Sequence, residues 1–234
     1  MSNLQTTSLS QWDIIANNTK DYYGRLSQAI QNLPHEDVTK ANQIIVQAYV
    51  DKKRIFVVWN GGSHATASHF VADLVKTIFG KNPLLGIAQH PCDVECLSDN
   101  VPTLTATAND LPDGFDHIFS LPLEAKWSSW DLLLVITWSG NSKNILKAIE
   151  TAKRKWLTVL GFLGFSGGKA KELCDHTVVI ESDDYGVIED MHSSLMHNIT
   201  NHLKIELAKQ SERNDKEMIP TTLIPNTVNQ PMGN

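Results

Sequence analysis

His69 and Asp73 stand four residues apart in a stretch, HATASHFVADLVKTIFG, that reads as one helix from His64 to Gly80. Four residues make about one helical turn, so the imidazole and the carboxylate face the same way and can be offered together to one metal ion. The last helical pattern of the chain adds Glu189, His192 and His197. A second chemistry is written into two short segments, Asn60-Gly61-Gly62-Ser63 and Trp138-Ser139-Gly140-Asn141-Ser142. Each follows an apolar run and opens a helix. In an open α/β sheet that is where ligands bind, because free backbone N–H groups and the positive end of the helix dipole attract an anion. Glycine permits close approach and serine hydroxyls donate further bonds, so the expected ligand carries phosphate. Neither segment ends in Gly-Lys-Ser/Thr and neither is GxGxxG, which argues against a nucleotide.

The elements that must position these groups follow from the apolar spacing. Ile14, Ile15, Tyr22, Leu26, Ile30 and Leu33 give an amphipathic helix from Gln11 to about Leu33, ended by Pro34, and a second runs from Val38 through Ile45 and Tyr49. From Lys53 short apolar runs alternate with helical ones. Ile55 to Trp59, Leu132 to Thr137, Leu157 to Leu163 and His176 to Ile180 read as strands, with Leu84 to Ala88 as a short one; Lys143 to Lys155 and Asp190 to Leu207 read as helices. Strands alternating with helices imply a three-layer α/β/α domain around a mostly parallel sheet. The expected organisation is residues 1–53 as leading helices suited to oligomerisation, 54–210 as the ligand-binding domain, and 211–234, with Pro220, Pro225 and Pro231, as an extended or disordered tail.

Composition narrows the classes. The 234 residues carry 20 Lys+Arg against 26 Asp+Glu, a net charge of −6, and no basic stripe suited to nucleic acid. The start of the chain lacks the pattern of a signal peptide and no apolar run is long enough for a bilayer, so no membrane partner is expected. Three cysteines, Cys92, Cys96 and Cys174, fit a reducing, cytoplasmic setting better than a disulfide framework. Cys92 and Cys96 read as incidental, as do His35, His90, His117, His176 and His202; His64, at the start of its helix, could face the ligand.

Five segments together, WNGGSHATASHFVADL, ATANDLPDGFDHIFS, ITWSGNSKNILKAIETAK, GFSGGKAKELCDHTVVIESDD and VIEDMHSSLMH, resemble the sugar isomerase (SIS) domain of the phosphoheptose isomerases, over roughly Ile55 to Leu207. The resemblance implies a flavodoxin-like fold and an aldose–ketose isomerisation, sedoheptulose 7-phosphate to D-glycero-D-manno-heptose 7-phosphate. It assigns sugar-phosphate binding to Asn60, Gly61, Gly62, Ser63, Thr137, Ser139 and Ser142, with Trp138 inside the second loop, and contacts to the sugar to Asn109 and Asp110. It implies a Zn²⁺ ion held by His69, Asp73, Glu189 and His197, with Asp73 as base, His197 as acid, and Asp73 and Glu189 also touching substrate. His192 matches a family position and reads as structural. A non-catalytic member that binds a phosphosugar or a protein partner, or an enzyme for a different phosphosugar, is the alternative.

The chain departs from the family in three ways. Asp73 replaces a Glu and withdraws the carboxylate by one methylene; Glu189 replaces a Gln, so that Glu189 is a candidate to act as compensating base or anionic ligand. Trp59 and Trp138 would reshape the pocket if they point inward. One geometric limit is independent of the family. Eight residues of straight helix span about 12 Å and turn by roughly 80°. Glu189 and His197 of one chain could therefore hardly share an ion unless Glu189 precedes the helix, so an oligomer with sites shared between subunits is expected, and the family resemblance implies a homotetramer.

Overall fold

The computed structural model describes residues 10–61, 63–79 and 93–217. The order is α1 (Gln11–Gln31), α2 (His35–Val50), β1 (Ile55–Val58), α3 (Ser63–Phe79), β2 (Val94–Cys96), α4 (Val101–Asp110), α5 (Gly114–His117), α6 (Ser120–Lys126), β3 (Leu132–Thr137), α7 (Lys143–Arg154), β4 (Thr158–Gly164), α8 (Gly168–Leu173), β5 (His176–Ile180) and α9 (Tyr185–Glu217). The strands form one sheet in the order β2-β1-β3-β4-β5, every neighbouring pair parallel, with Ile55 opposite Leu132, Leu132 opposite Thr158 and Leu160 opposite His176. All five strands therefore end at the same edge. This is the flavodoxin-like arrangement, whose switch point lies between β1 and β3.

Side chains alternate across the sheet and build two cores. Ile55, Val57, Leu134, Ile136, Leu160 and Phe162 face α2, α3 and α9, meeting Ala41, Ile45, Phe70, Leu74, Met191 and Leu195. Phe56, Val58, Leu133, Val135 and Val159 face the other way, onto Phe119, Leu123, Ile145, Ile149 and Ala170 of α6, α7 and α8 and the turn before α6. Burial on both faces explains why the strands read as unbroken apolar runs. The leading helices share the first of these cores, through Val38, Ala41 and Ile45 of α2 and Ala29 of α1.

Several boundaries move for local reasons. The last helix starts at Tyr185 rather than Asp190, because the Asp184 carboxylate accepts the backbone N–H of Gly186 at 2.8 Å and of Val187 at 3.3 Å. It continues past Leu207 to Glu217, since residues 208–217 contain neither Gly nor Pro to stop it, so the first part of the expected tail is helical. Strand β2 escapes a reading by apolar runs because it is three residues long and carries Glu95 at its centre. Gly62, the expected strand at Leu84–Ala88, His90, Cys92 and residues 218–234 lie outside the described residues.

Candidate active site

The carboxyl edge of the sheet carries both Gly/Ser loops. After β1 the chain turns through Gly61 at φ +67°, a conformation that favours glycine, and His64 N–H bonds back to the Gly61 carbonyl at 2.9 Å as α3 begins. After β3 the second loop passes so close to α8 that a Cβ on Gly140 would sit 1.9 Å from the Gly167 carbonyl oxygen. That approach lets the Ala170 N–H donate to the Gly140 carbonyl at 3.0 Å, while Asn141 Oδ1 accepts from the Lys169 N–H at 3.2 Å. Ser142 is the N-cap of α7, yet its side chain makes no capping hydrogen bond. Thr137, the last residue of β3, is buried.

The two loops are joined by a pair that spacing alone does not reveal. Asn60 Nδ2 donates to Asn144 Oδ1 at 2.9 Å and Asn144 Nδ2 returns a bond to Asn60 Oδ1 at 2.8 Å. Asn144 is 1% exposed, and its Oδ1 also accepts the Ile145 N–H at 2.9 Å. The Asn60 amide expected to meet substrate is thus engaged in tying the first loop to α7, a role nothing in the sequence could assign to residues 84 apart.

Packed against each other, α3 and α9 bring three of the four expected metal ligands together. His69 Nε2 lies 3.5 Å from Asp73 Oδ2, and His197 Nε2 lies 3.9 Å from the same oxygen. The two imidazoles meet edge-on with centroids 5.3 Å apart, and one ligand atom of each residue falls within 4.8 Å of the others. These separations are looser than hydrogen bonds and suit donors aimed at a common point, as two imidazoles and a carboxylate around a divalent metal ion. His69 and His197 are exposed and Asp73 is half-buried, so the fourth coordination position is accessible.

Glu189 does not join this group. It is the fifth residue of α9, inside the helix, so the exception that would have let it share an ion with His197 does not apply. Asn109 and Asp110 end α4, exposed and hydrogen-bonded to each other at 2.8 Å; among the described residues no hydrogen bond ties either to a Gly/Ser loop. The two tryptophans do not crowd a pocket in the way their positions suggested. Trp59 is 2% exposed and packs edge-on against His192 at 5.5 Å in the core. Trp138 turns towards α9, edge-on to Tyr185 at 4.7 Å, with Phe165 on the other side of that tyrosine at 5.3 Å. His192 is fully enclosed, and burial pushes its pKa down to about 4, so it is a neutral core residue rather than an acid.

A second cluster was not anticipated. His64 Nδ1 meets Ser98 Oγ at 2.7 Å and Cys96 Sγ at 3.8 Å, and His64 Nε2 lies 3.3 Å from Asp99 Oδ1. Its members come from the start of α3 and the end of β2, so no single helix spacing announces it.

Comparison with known proteins agrees with this architecture. The sequence pattern of the SIS domain matches residues 20–164. The phosphoheptose isomerase of Campylobacter concisus is 39% identical over 160 residues, 68% of this chain and 79% of the relative. That of Bradyrhizobium sp. is 32% identical over 198 residues, covering 83% of this chain and 94% of the relative. The solved structure of a phosphoheptose isomerase from Francisella tularensis superposes with a TM-score of 0.71 at 26% identity, covering 83% of this chain and 98% of that one. The chain belongs to the SIS-domain family and, within it, to the phosphoheptose isomerases.

Proposed function

We propose that this protein isomerises a phosphorylated sugar, converting sedoheptulose 7-phosphate to D-glycero-D-manno-heptose 7-phosphate. The observation that carries the reading is the convergence of His69, Asp73 and His197 between α3 and α9, in a fold whose sheet carries two Gly/Ser loops at the ends of β1 and β3. The loops hold the phosphate through backbone N–H groups and the hydroxyls of Ser139 and Ser142, placing the sugar's carbonyl end at the His/Asp group.

Asp73 Oδ2 is the oxygen nearest both imidazoles, which leaves Oδ1 for proton transfer. Asp73 takes the proton from C1 of the ketose while His197 donates its Nδ1 proton to O2; an enediol results. Asp73 then returns its proton to C2 and His197 takes the proton of O1, giving the aldose with no net change in either residue. His69, Asp73 and His197 are the residues that would hold zinc, and the donor set fits it. Zinc held there would polarise the carbonyl and stabilise the charge that develops on oxygen.

Glu189 completes the site from a neighbouring subunit in a homotetramer. Two features support this: its position two turns from His197 inside α9, and an α1 surface that leaves Trp12 78% and Tyr23 64% exposed. A cytoplasmic setting agrees with the free thiols of Cys96 and Cys174. Among the described residues no helix is long and apolar enough to cross a membrane.

The decisive experiment incubates the purified protein with sedoheptulose 7-phosphate, with and without a chelator, and follows the aldose by NMR. Appearance of the aldose, lost on chelation and restored by Zn²⁺, is the expected result. No turnover in either metal state overturns the substrate assignment and favours another phosphosugar or non-catalytic binding. For the shared site, mixed Asp73→Ala and Glu189→Ala chains should regain activity that neither has alone. Mixed Asp73→Ala and His197→Ala chains should not, because those two side chains meet within one subunit.

A further inference from the structure

We propose that His64, Cys96 and Asp99 form a second metal site, distinct from the His69/Asp73/His197 group, that takes a borderline-soft divalent cation of the zinc class. One ligand atom from each of the three lies within 4.8 Å of the others. Around a tetrahedral ion with bonds of about 2.0–2.3 Å, neighbouring ligand atoms stand roughly 3.3–3.8 Å apart. Asp99 Oδ1 stands 3.3 Å from His64 Nε2 and Cys96 Sγ 3.8 Å from Nδ1, the other nitrogen of the ring, so an ion takes one of the two nitrogens and a side-chain rotation brings the remaining ligand atom to it.

The surroundings are built as metal sites are. Cys96 is 1% exposed at the end of β2, where its backbone pairs with Val57 of the central strand, so the sulfur is held by the most rigid part of the fold. Ser98 Oγ bridges His64 Nδ1 at 2.7 Å and Cys96 Sγ at 3.2 Å, and Ser68 Oγ donates to Asp99 Oδ1, so one hydroxyl fixes the imidazole and the thiol and another the carboxylate. A thiolate and a carboxylate together balance a 2+ charge, and a sulfur, nitrogen and oxygen set selects zinc-like ions over Mg²⁺ or Ca²⁺. Three protein donors leave a fourth position for water or a ligand oxygen. Because His64 is the residue whose N–H closes the first Gly/Ser turn, an ion here would clamp that loop to the β2 end of the sheet.

Cobalt is the probe that separates the two sites, because only this one contains sulfur. Metal-free full-length protein is titrated with Co²⁺ while visible and near-ultraviolet absorption and bound metal are measured. The expected result is a thiolate-to-cobalt charge-transfer band and a second bound equivalent. Both should be lost in Cys96→Ser and in His64→Gln, the latter a substitution at a partly exposed position that tests the site should the cysteine variant fail to fold. In His69→Ala the band should persist while the other equivalent is lost. Absence of the band in the parent protein, or a band that survives Cys96→Ser and disappears instead in Cys92→Ser or Cys174→Ser, overturns the proposal.

Discussion

The two sides of α3 carry similar residues and became visible by different routes. On one side His69 and Asp73 lie four apart and look towards His197 on α9; on the other, His64 and Ser68, also four apart, look towards Cys96, Ser98 and Asp99 at the end of β2. The first side announces itself because both early ligands are on one helix. The second has only one strong donor on the helix and draws the rest from a short strand end. Helical spacing is thus a good detector of sites whose ligands share an element and a poor one for sites assembled at a junction. The comparison also separates the proposed roles: the α9 side is exposed and carries the proposed acid and base, whereas the β2 side is anchored on a buried sulfur and is suited to holding the first loop in place.

The largest effect expected on this division is that of Asp73→Asn, which preserves shape but removes the proposed base. The kcat for isomerisation should fall about 10³-fold, with KM changed by much less. Steady-state kinetics by coupled assay or NMR tests this, and His64→Gln supplies the contrast, with a loss of less than about tenfold. Equal losses from the two variants would abolish the distinction between the chemical and the loop-holding side.

Asn144→Ala leaves Asn60 without its buried partner and unties the two loops. Urea unfolding should show a loss of about 2–3 kcal/mol, and substrate affinity should weaken more than kcat. Loss of stability with unchanged KM would mean that the amide pair supports the fold alone.

His192, packed in the core against Trp59 and Phe162, gives a pH test. Its folded pKa of about 4 lies below the ordinary value of 6.5, so the unfolded chain binds the proton more readily. The associated stability is fully present above pH 6.5 and is lost as pH falls towards 4, by about 3 kcal/mol in all. Denaturant melts across that window should show the decline, and His192→Phe should flatten it. The smallest effect is expected far from α3, at the α1–α9 contact. Tyr22 donates to Asp190 at 2.6 Å, and that bond pushes the phenol pKa up to about 12. The pair is exposed to solvent, so Tyr22→Phe should cost no more than about 1 kcal/mol in a thermal or urea melt.

What could be read in advance was local. The α/β class, the parallel sheet, both Gly/Ser loops and the shared face of His69 and Asp73 follow from apolar periodicity and from the turn of one helix, each written within a few neighbouring residues. The twelve-ångström argument also placed Glu189 and His197 apart, since rise per residue needs no tertiary contact. What folding alone decided is every partnership across the chain. The packing of α3 on α9 sets His197, rather than Glu189, beside Asp73; parallel registration of β1 and β2 brings Cys96 to His64; and the approach of the two loops commits Asn60 to Asn144. The same packing turned Trp59 into the core. Residue type and spacing state which groups can act, but only the docking of one element on another determines the distance at which they meet, and ligation and proton transfer both depend on that distance.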